Sequence, residues 1–571
     1  MFVKHLFDFF KKSLKKFFCY LKLLCFVVEY FELNLAGGLE MAEKKSLELP
    51  RADFPEQVGV DSKEIKALID DLEANNDEVH SIQIIRHGKV AYERWRAPYA
   101  PDIPHTMYSV SKSFTAIAMG FLIDEGYCSL DTKVIDLFPE YKPKEPDEKL
   151  EMMTVFHLLT MTAGKNVSVL SDKKKSDWVK QFFDAPWEFA PGEGWHYISE
   201  NTYLCSVIIK KLTGLTMREY LKPRLFDPLG YNRMPFWECD RQGREAGGWG
   251  LFITTDELSK FIVCVANNGV YAGKQVIPAW YVEMATSNLV SNEKNENPNS
   301  RVGYGFFFWQ CNCDNTYRAD GMFSQFGIVF KDYDAQFIIT QSEIFEEKSR
   351  QILFKHLPKM FIDDMASPPQ DACSDLDLTP LPVLEAKPRS PYESTINGRL
   401  IHLDKNPLLN TIGWPVSMLT IPVTYMSAEK GGNIDNVVLR FAENTCTMTW
   451  NEGSDNNTIE CGMDGRLRMS PIHLAGINFT AASSAAWEDE TTLLIYMRPV
   501  ESICERRLKI SFNGQDVKIK PTSSPDIYTL IEFVKDFAGS MLKNDRVSGR
   551  VGRLINHLDK ILEAPINGKM I

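Results

Sequence analysis

The pattern of apolar and polar positions predicts a mixed first part of the chain and a β-rich second part. Behind Asp61, apolar residues at Ile65, Leu68, Ile69 and Leu72 recur at helical spacing, and Asp61 with Glu64 reads as a capping box. The stretch "SIQIIRHGKVAYERW", Ser81 to Trp95, is two short strand patterns around His87-Gly88, which predicts a hairpin. Next, Phe114, Ile117, Ala118, Phe121 and Leu122 fall on one helical face, with Gly126 at the stop. That helix starts near Ser109 to Ser111, at the positive end of its dipole. Far downstream, "VVLRF" and "CTMTW" alternate around turn residues, and "LKISFNGQDVKIK" is a hairpin with Asn513-Gly514 at its turn. Strands at this spacing predict a small barrel or sandwich. "SPDIYTLIEFVKDFAG" then reads as a helix, with Pro525 in its first turn and Gly539 at its end. Between the two regions, "ASPPQDACSDLDLTPLPVLEAKPRSPYEST" is rich in Pro, Asp and Ser and reads as a linker.

A chain of 571 residues is too long for one ordinary core, which agrees with two domains. Hydrophobic residues make up 44% and charged residues 25%, the balance of a water-soluble globular protein. A net charge of -12 argues against nucleic acid as a partner, because phosphate binding needs a basic face. The 12 cysteines are scattered, which suits a reducing cytoplasm; Cys311 and Cys313 are read as an ordinary reduced pair on a strand. Neither a P-loop, a dinucleotide fingerprint nor zinc spacing occurs, so no cofactor or metal is expected.

The first residues differ from the rest. "MFVKHLFDFFKKSLKKFFCYLKLLCFVVEYF" is basic and aromatic, and Lys22 and Glu29 interrupt its apolar run. One reading is an amphipathic membrane anchor. The preferred one is a non-native upstream leader, with the protein starting at Met41. Gly37-Gly38 can be encoded by a purine tract of the kind that precedes a bacterial start codon. No membrane association is expected unless this extension is native.

The stretch "YSVSKSF", Tyr108 to Phe114, carries the candidate chemistry. Ser109 and Lys112 are three residues apart and share a helix face, whereas Ser111 and Ser113 flank Lys112 and point elsewhere. A serine hydroxyl is a weak nucleophile without a base in reach, and a buried lysine of lowered pKa can be that base. Taken alone the S-x-x-K pattern is common, and a capping serine beside a solvated lysine is its plain alternative.

It does not stand alone. "HTMYSVSKSFTAIAMGFLIDEGYCSLDTKVIDLFPEY" resembles the serine β-lactamase and penicillin-binding protein superfamily, in its class C-like branch of β-lactamases, DD-peptidases, esterases and nylon-oligomer hydrolases. The likeness continues in order through "MTVFHLLTMTAG", "PGEGWHYISENTYLCSVIIKKLTG", "GGWGLFITTDELSKF" and "YRADGMFSQFGIVF", ending at Phe330. The resemblance implies an α/β (α+β) fold, a β-lactamase/transpeptidase-like antiparallel sheet flanked by helices, followed by the β-rich C-terminal domain. It divides the chain into the extension 1–46, a catalytic domain 47–365, the linker 366–392 and an accessory domain 393–571 with C-terminal helices. The accessory domain is read as a packing domain, or alternatively as a lid over the cleft.

Roles follow by position. Ser109 is the nucleophile implied, and Tyr197 matches the tyrosine of the branch's Tyr-x-Asn motif. A nearby ammonium lowers a phenol's pKa, so Tyr197 and Lys112 are expected to share the proton taken from Ser109. The motif's third residue is Ser199 rather than Asn, the form that the nylon-oligomer hydrolases resemble; Ser199 is expected to orient Lys112. On the edge strand the usual Lys-Thr-Gly is Ala319-Asp320-Gly321 here. Ala319 cannot bind a substrate carboxylate, and Arg318 is expected on the opposite face of the strand. Gly321 lets the backbone approach an acyl group, and the N–H groups of Ser109 and Met322 are expected to form the oxyanion hole. His105 and His196 are read as hydrogen-bonded structural residues. The expected activity is hydrolysis of a small-molecule ester, amide or peptide through an acyl-enzyme in the cytoplasm. The alternatives are a true class C-type β-lactamase or DD-peptidase, and a non-catalytic binding protein on the same fold.

Overall fold

The computed structural model describes residues 47–143, 147–166, 177–240, 242–295, 300–405, 434–452, 455–474, 477–526 and 563–571. The hairpin expected around His87-Gly88 is present. β1 (Glu78–Arg86) and β2 (Lys89–Trp95) pair Arg86 with Lys89 across a two-residue turn, in which His87 (φ 51°) and Gly88 (φ 69°) are both left-handed. Four more strands complete the sheet: β3 (Trp309–Gln310), β4 (Thr316–Gly321), β5 (Gln325–Phe330) and β6 (Ala335–Ser342). The order is β2-β1-β6-β5-β4-β3, and every pairing is antiparallel.

This sheet is buried on both faces, because its central strands are apolar at both parities. Phe326, Ile328, Phe337 and Ile339 enter one core, while Val329 and Ile338 enter the other. Each such side chain contributes roughly 1.5–3 kcal/mol on burial. Helices α1 (Ser62–Ala74) and α5 (Glu346–His356) pack with the first core, and α4 (Thr255–Ala266) lies against the sheet in the second. Asp61 does cap α1, through the Lys63 N–H, but Glu64 does not close a capping box. It is drawn instead to His356, 2.7 Å away on α5.

Helix α2 (Ser111–Asp124) follows a short 3-10 turn, Tyr108–Val110. The one-sided apolar face expected of it is not what forms, since every residue from Ser111 to Leu122 is buried. The helix runs through the middle of the domain, beside α3 (Ser199–Thr213), and its polar residues find internal partners. Ser113 Oγ donates to the Phe307 carbonyl at 2.9 Å, and Thr115 Oγ1 to that of Gly247 at 2.7 Å.

Cys311 and Cys313 lie in the turn after β3 rather than on a strand, because that strand is only two residues long. Both are free thiols, and Cys311 Sγ accepts from Arg318 at 3.5 Å. Among the described residues no cluster of three or more His, Cys, Asp or Glu is arranged to hold a metal ion. Among them, too, no helix is long and apolar enough to cross a membrane.

Residues 366–392 run as an extended strap. Leu376 and Leu378 are buried in the α1/α5 core, Leu376 accepts from Tyr92 at 2.7 Å, and the Thr379 N–H donates to Glu73 at 2.9 Å. The strap leads to a ten-stranded barrel whose neighbouring strands are antiparallel and whose closing contact, Gly462 with Ser484, is parallel. Its strands are β7 (Leu400–Leu403), β8 (Ile434–Phe441), β9 (Thr445–Glu452), β10 (Asp455–Gly462), β11 (Arg468–Leu474), β12 (Ile477–Asp489), β13 (Thr492–Pro499), β14 (Glu505–Asn513), β15 (Asp516–Ser524) and β16 (Ile566–Met570). β16 is inserted between β7 and β15, and a β10–β12 pairing closes the ring. The β14–β15 turn is Gly514-Gln515, one residue later than expected. The helix expected over 524–539 falls, from Ile527 on, outside the described residues, as does the extension 1–46.

The barrel grips the first domain just ahead of Ser109. The Thr106 N–H donates to the Glu501 carbonyl at 2.9 Å, and Tyr99 Oη to that of Ser502 at 3.0 Å. Arg498, buried on β13, bonds Glu78 at 3.3 Å and Glu505 at 3.4 Å.

Candidate active site

Ser109 sits in the 3-10 turn that leads into α2, and Lys112 is one helical turn on. Tyr108, immediately before Ser109, has φ 44°, a left-handed conformation that costs a non-glycine residue of order 1–3 kcal/mol. Lys112 is 1% exposed. Its Nζ donates to Ser109 Oγ at 2.9 Å and to the Gly248 carbonyl at 2.8 Å. Burial pulls its pKa down to about 7, against the opposing pull of Glu200 and Asp320. An amine with an appreciable neutral fraction near neutral pH, its lone pair in reach of a hydroxyl, can take that hydroxyl's proton.

Tyr197 comes from the segment just before α3. Lys112 Nζ lies over its ring, 4.8 Å from the centroid. The expected lowering of the phenol's pKa does not occur. Burial pushes Tyr197 well up, Asp320 and Glu346 add to the rise, and the hydrogen bond with Ser109 and the charge of Arg318 only oppose it. The reason is mutual: Lys112 shares the same dry pocket and is itself kept from holding a full positive charge.

Ser199, the first residue of α3, stands next to these groups. A Cβ built on Gly248 would lie 3.0 Å from Ser199 Cβ and 3.3 Å from Lys112 Nζ. Both hydrogen bonds of Lys112 go to Ser109 and Gly248. The Gly248 carbonyl is a partner that the sequence could not reveal, because a backbone acceptor has no letter of its own. The glycine doublet at Gly247-Gly248 was its only trace.

Strand β4 closes the other side. A Cβ on Gly321 would lie 2.5 Å from the Met107 carbonyl oxygen, so only glycine lets this strand approach the segment that carries Ser109. Met322 follows, half-buried, as the first residue of the β4–β5 turn. Ala319 is wholly buried in the core that contains Met107 and Val110. Arg318 and Asp320 alternate to the other face, as expected. That face is not remote from the site, because the β3–β4 register sets Trp309 opposite Arg318. Arg318 lies 5.7 Å from the Trp309 ring, whose centroid is 5.4 Å from that of Tyr197. The Arg318 guanidinium is bonded to Asp320 at 2.7 Å, so its charge is already matched. Trp195, Tyr304 and Trp309 together wall Tyr197, an aromatic lining not anticipated from the sequence.

His105 and His196 have structural partners. His105 Nε2 is 2.9 Å from His80 Nδ1, and burial holds both rings well below the usual imidazole value. His196 pairs with Glu188 at 2.6 Å.

Residues 69–351, which contain all of these groups, match the family model described as Beta-lactamase. This part of the chain belongs to the serine β-lactamase and penicillin-binding protein superfamily. Within that superfamily, it is 26% identical to Esterase EstB of Burkholderia gladioli over 173 residues, 26% of this chain and 44% of that protein. It is 26% identical to the 6-aminohexanoate-dimer hydrolase of Paenarthrobacter ureafaciens over 230 residues, 37% of this chain and 59% of that protein. The chain thus spans about half the length of these curated relatives. A solved octameric penicillin-binding protein homologue from Pyrococcus abyssi aligns with 80% of this chain and 97% of its own, at 16% identity and a TM-score of 0.42.

Proposed function

We propose that the protein is a serine hydrolase of the superfamily's class C-like branch, acting on small neutral esters or amides through an acyl-enzyme. The observation that carries this is Lys112 Nζ, 2.9 Å from Ser109 Oγ and held near a pKa of about 7 by burial. Lys112, as the neutral amine, takes the Ser109 proton while Oγ attacks the substrate carbonyl carbon. The new oxyanion accepts from the N–H groups of Ser109 and Met322. The ammonium formed on Lys112 returns its proton, through Tyr197 Oη, to the departing alkoxide or amide nitrogen as that bond breaks. Water then attacks the acyl carbon, giving up a proton to the same groups, and the acyl C–Oγ bond breaks as that proton passes to Ser109 Oγ, releasing the acid and the free serine.

Esterase and amide-hydrolase relatives support this reading of the substrate. A β-lactamase or DD-peptidase reading needs a cation for the substrate carboxylate. The nearby candidate, Arg318, is neutralised by Asp320, which favours uncharged substrates. The survival of Ser109, Lys112 and Tyr197 in mutual contact speaks against a non-catalytic binding protein. Labelling with a fluorophosphonate, followed by peptide mapping, tests the proposal: the adduct is expected on Ser109 alone. An adduct on Ser111 or Ser113, or none, sinks it.

A further inference from the structure

The β4–β5 turn, Met322–Ser324, is built under strain. Phe323 (φ 62°) and Ser324 (φ 63°) are consecutive left-handed residues, neither of them glycine. Such a conformation persists only where its surroundings over-determine it. Here they do. Gln325 Nε2 donates to the Phe323 carbonyl at 3.0 Å and to the Gln341 carbonyl at 2.6 Å, and the Glu343 N–H donates to the same Phe323 carbonyl at 3.3 Å. On the opposite side of that residue, the Phe323 N–H donates to Glu346 Oε1 at 2.7 Å. The Phe323 ring meets the Tyr108 ring edge to face, 5.0 Å between centroids. The backbone groups of Ser109 and Met322 therefore each adjoin a left-handed residue, and those two residues touch.

Glu346 is the first residue of α5, where the helix dipole favours an acceptor. Arg350 is 3.7 Å from it, and Asp320 and Arg318 also act on it. Glu346 is only partly buried and pairs with Arg350, yet the same carboxylate also accepts a loop amide, a bond that helix capping does not explain.

We infer that Glu346 is a positioning residue for the oxyanion hole: by accepting the Phe323 N–H it holds the left-handed turn, and so fixes the Met322 N–H relative to Ser109. This rests on the proposed role of Met322. The deletion of a single oxyanion donor slows acyl transfer by about 100–1,000-fold, so loosening one is expected to cost less than that.

Three variants test it, with kcat and KM measured on a neutral p-nitrophenyl ester. Glu346→Ala is expected to lower kcat about 10–100-fold with KM changed by less than about threefold, since the lost interaction is made in the transition state. Glu346→Gln keeps an acceptor oxygen and is expected to recover most of that loss. Glu346→Ala with Ser324→Gly is expected to recover part of it, because glycine adopts the left-handed conformation freely. Parent-like kcat in Glu346→Ala overturns the inference, and so does a Gln variant as slow as the Ala variant. If Glu346→Ala does not fold, Glu346→Asp, which withdraws the oxygen by one methylene, is read in the same way. Fluorophosphonate labelling of the parent separates the two readings. An unlabelled Ser109 removes the proposed function itself, whereas a labelled Ser109 with an indifferent Glu346 removes only this inference.

Discussion

Lys112 Nζ lies over the face of the Tyr197 ring, 4.8 Å from its centroid, and burial drives the two groups in opposite directions: the ammonium down to about 7, the phenol well up. Both shifts favour the neutral forms. Near neutral pH the phenol is intact while Lys112 is divided between ammonium and amine, and the amine is the base of the pair. The sign follows. Below a pH of about 7 Lys112 is protonated and has no lone pair for Ser109; above it the base is free. Acylation of a neutral ester is therefore expected to rise about tenfold per pH unit on the acid side and to level off above about pH 7–8. Pre-steady-state acylation rates across this range check it. A rate that keeps climbing with no plateau above about pH 8 would mean that the phenol, not the amine, takes the proton.

In the proposed mechanism the two residues act as one proton-transfer unit. Lys112→Ala and Tyr197→Phe are each expected to slow acylation by orders of magnitude, and the double variant to be little worse than either. Single-turnover rates for the four proteins decide this. Losses that multiply would show that the two side chains act independently.

A third expectation concerns the barrel. Arg498 is buried at the domain junction with Glu78 and Glu505, and Thr106, three residues before Ser109, hangs on the Glu501 carbonyl. Removing one member of a buried ion pair leaves the others uncompensated, which costs about 3–5 kcal/mol. Arg498→Ala is expected to lower the melting temperature by several degrees and to reduce kcat as well, because the strand leading to Ser109 loses its backing. Thermal unfolding and ester turnover measured on one preparation check both. A variant with parental stability and turnover would reduce the barrel to a passive attachment.

What the sequence made legible was mostly local. Ser109 and Lys112 are one turn apart, so their spacing alone puts them on one face, and the structure brings them within 2.9 Å. The hairpin at His87-Gly88 is equally local. What stayed hidden depends on register and on the third dimension. Arg318 was placed correctly on the face opposite Ala319. That this face borders Tyr197 follows only from the pairing of Arg318 with Trp309 on a two-residue strand too short to recognise. Likewise the one-sided face expected of α2 failed because its polar residues are satisfied by distant backbone carbonyls, at Phe307 and Gly247. The strap 366–392 has a linker's composition, yet a few spaced leucines dock it.

The last expectation concerns charge in the substrate. By the resemblance of the edge-strand motif, Ala319 takes the place of a lysine, but its side chain lies in the packed core, so no cation can be placed there without disrupting the interior. The candidate cation is Arg318, and Asp320 holds it at 2.7 Å. A substrate carboxylate would have to displace Asp320 from a bond worth about 1.5–3 kcal/mol, with no net gain of charge pairing. Neutral p-nitrophenyl acetate or butyrate is therefore expected to react readily, with nitrocefin and D-Ala-D-Ala peptides slow or inert. Asp320→Asn leaves Arg318 unmatched, and is expected to narrow that gap by about tenfold or more by improving turnover of the carboxylate-bearing substrates. Relative kcat/KM for an ester and for nitrocefin, in the parent and in this variant, checks the argument. Efficient nitrocefin hydrolysis by the parent protein would overturn it, and would return the site to a β-lactamase.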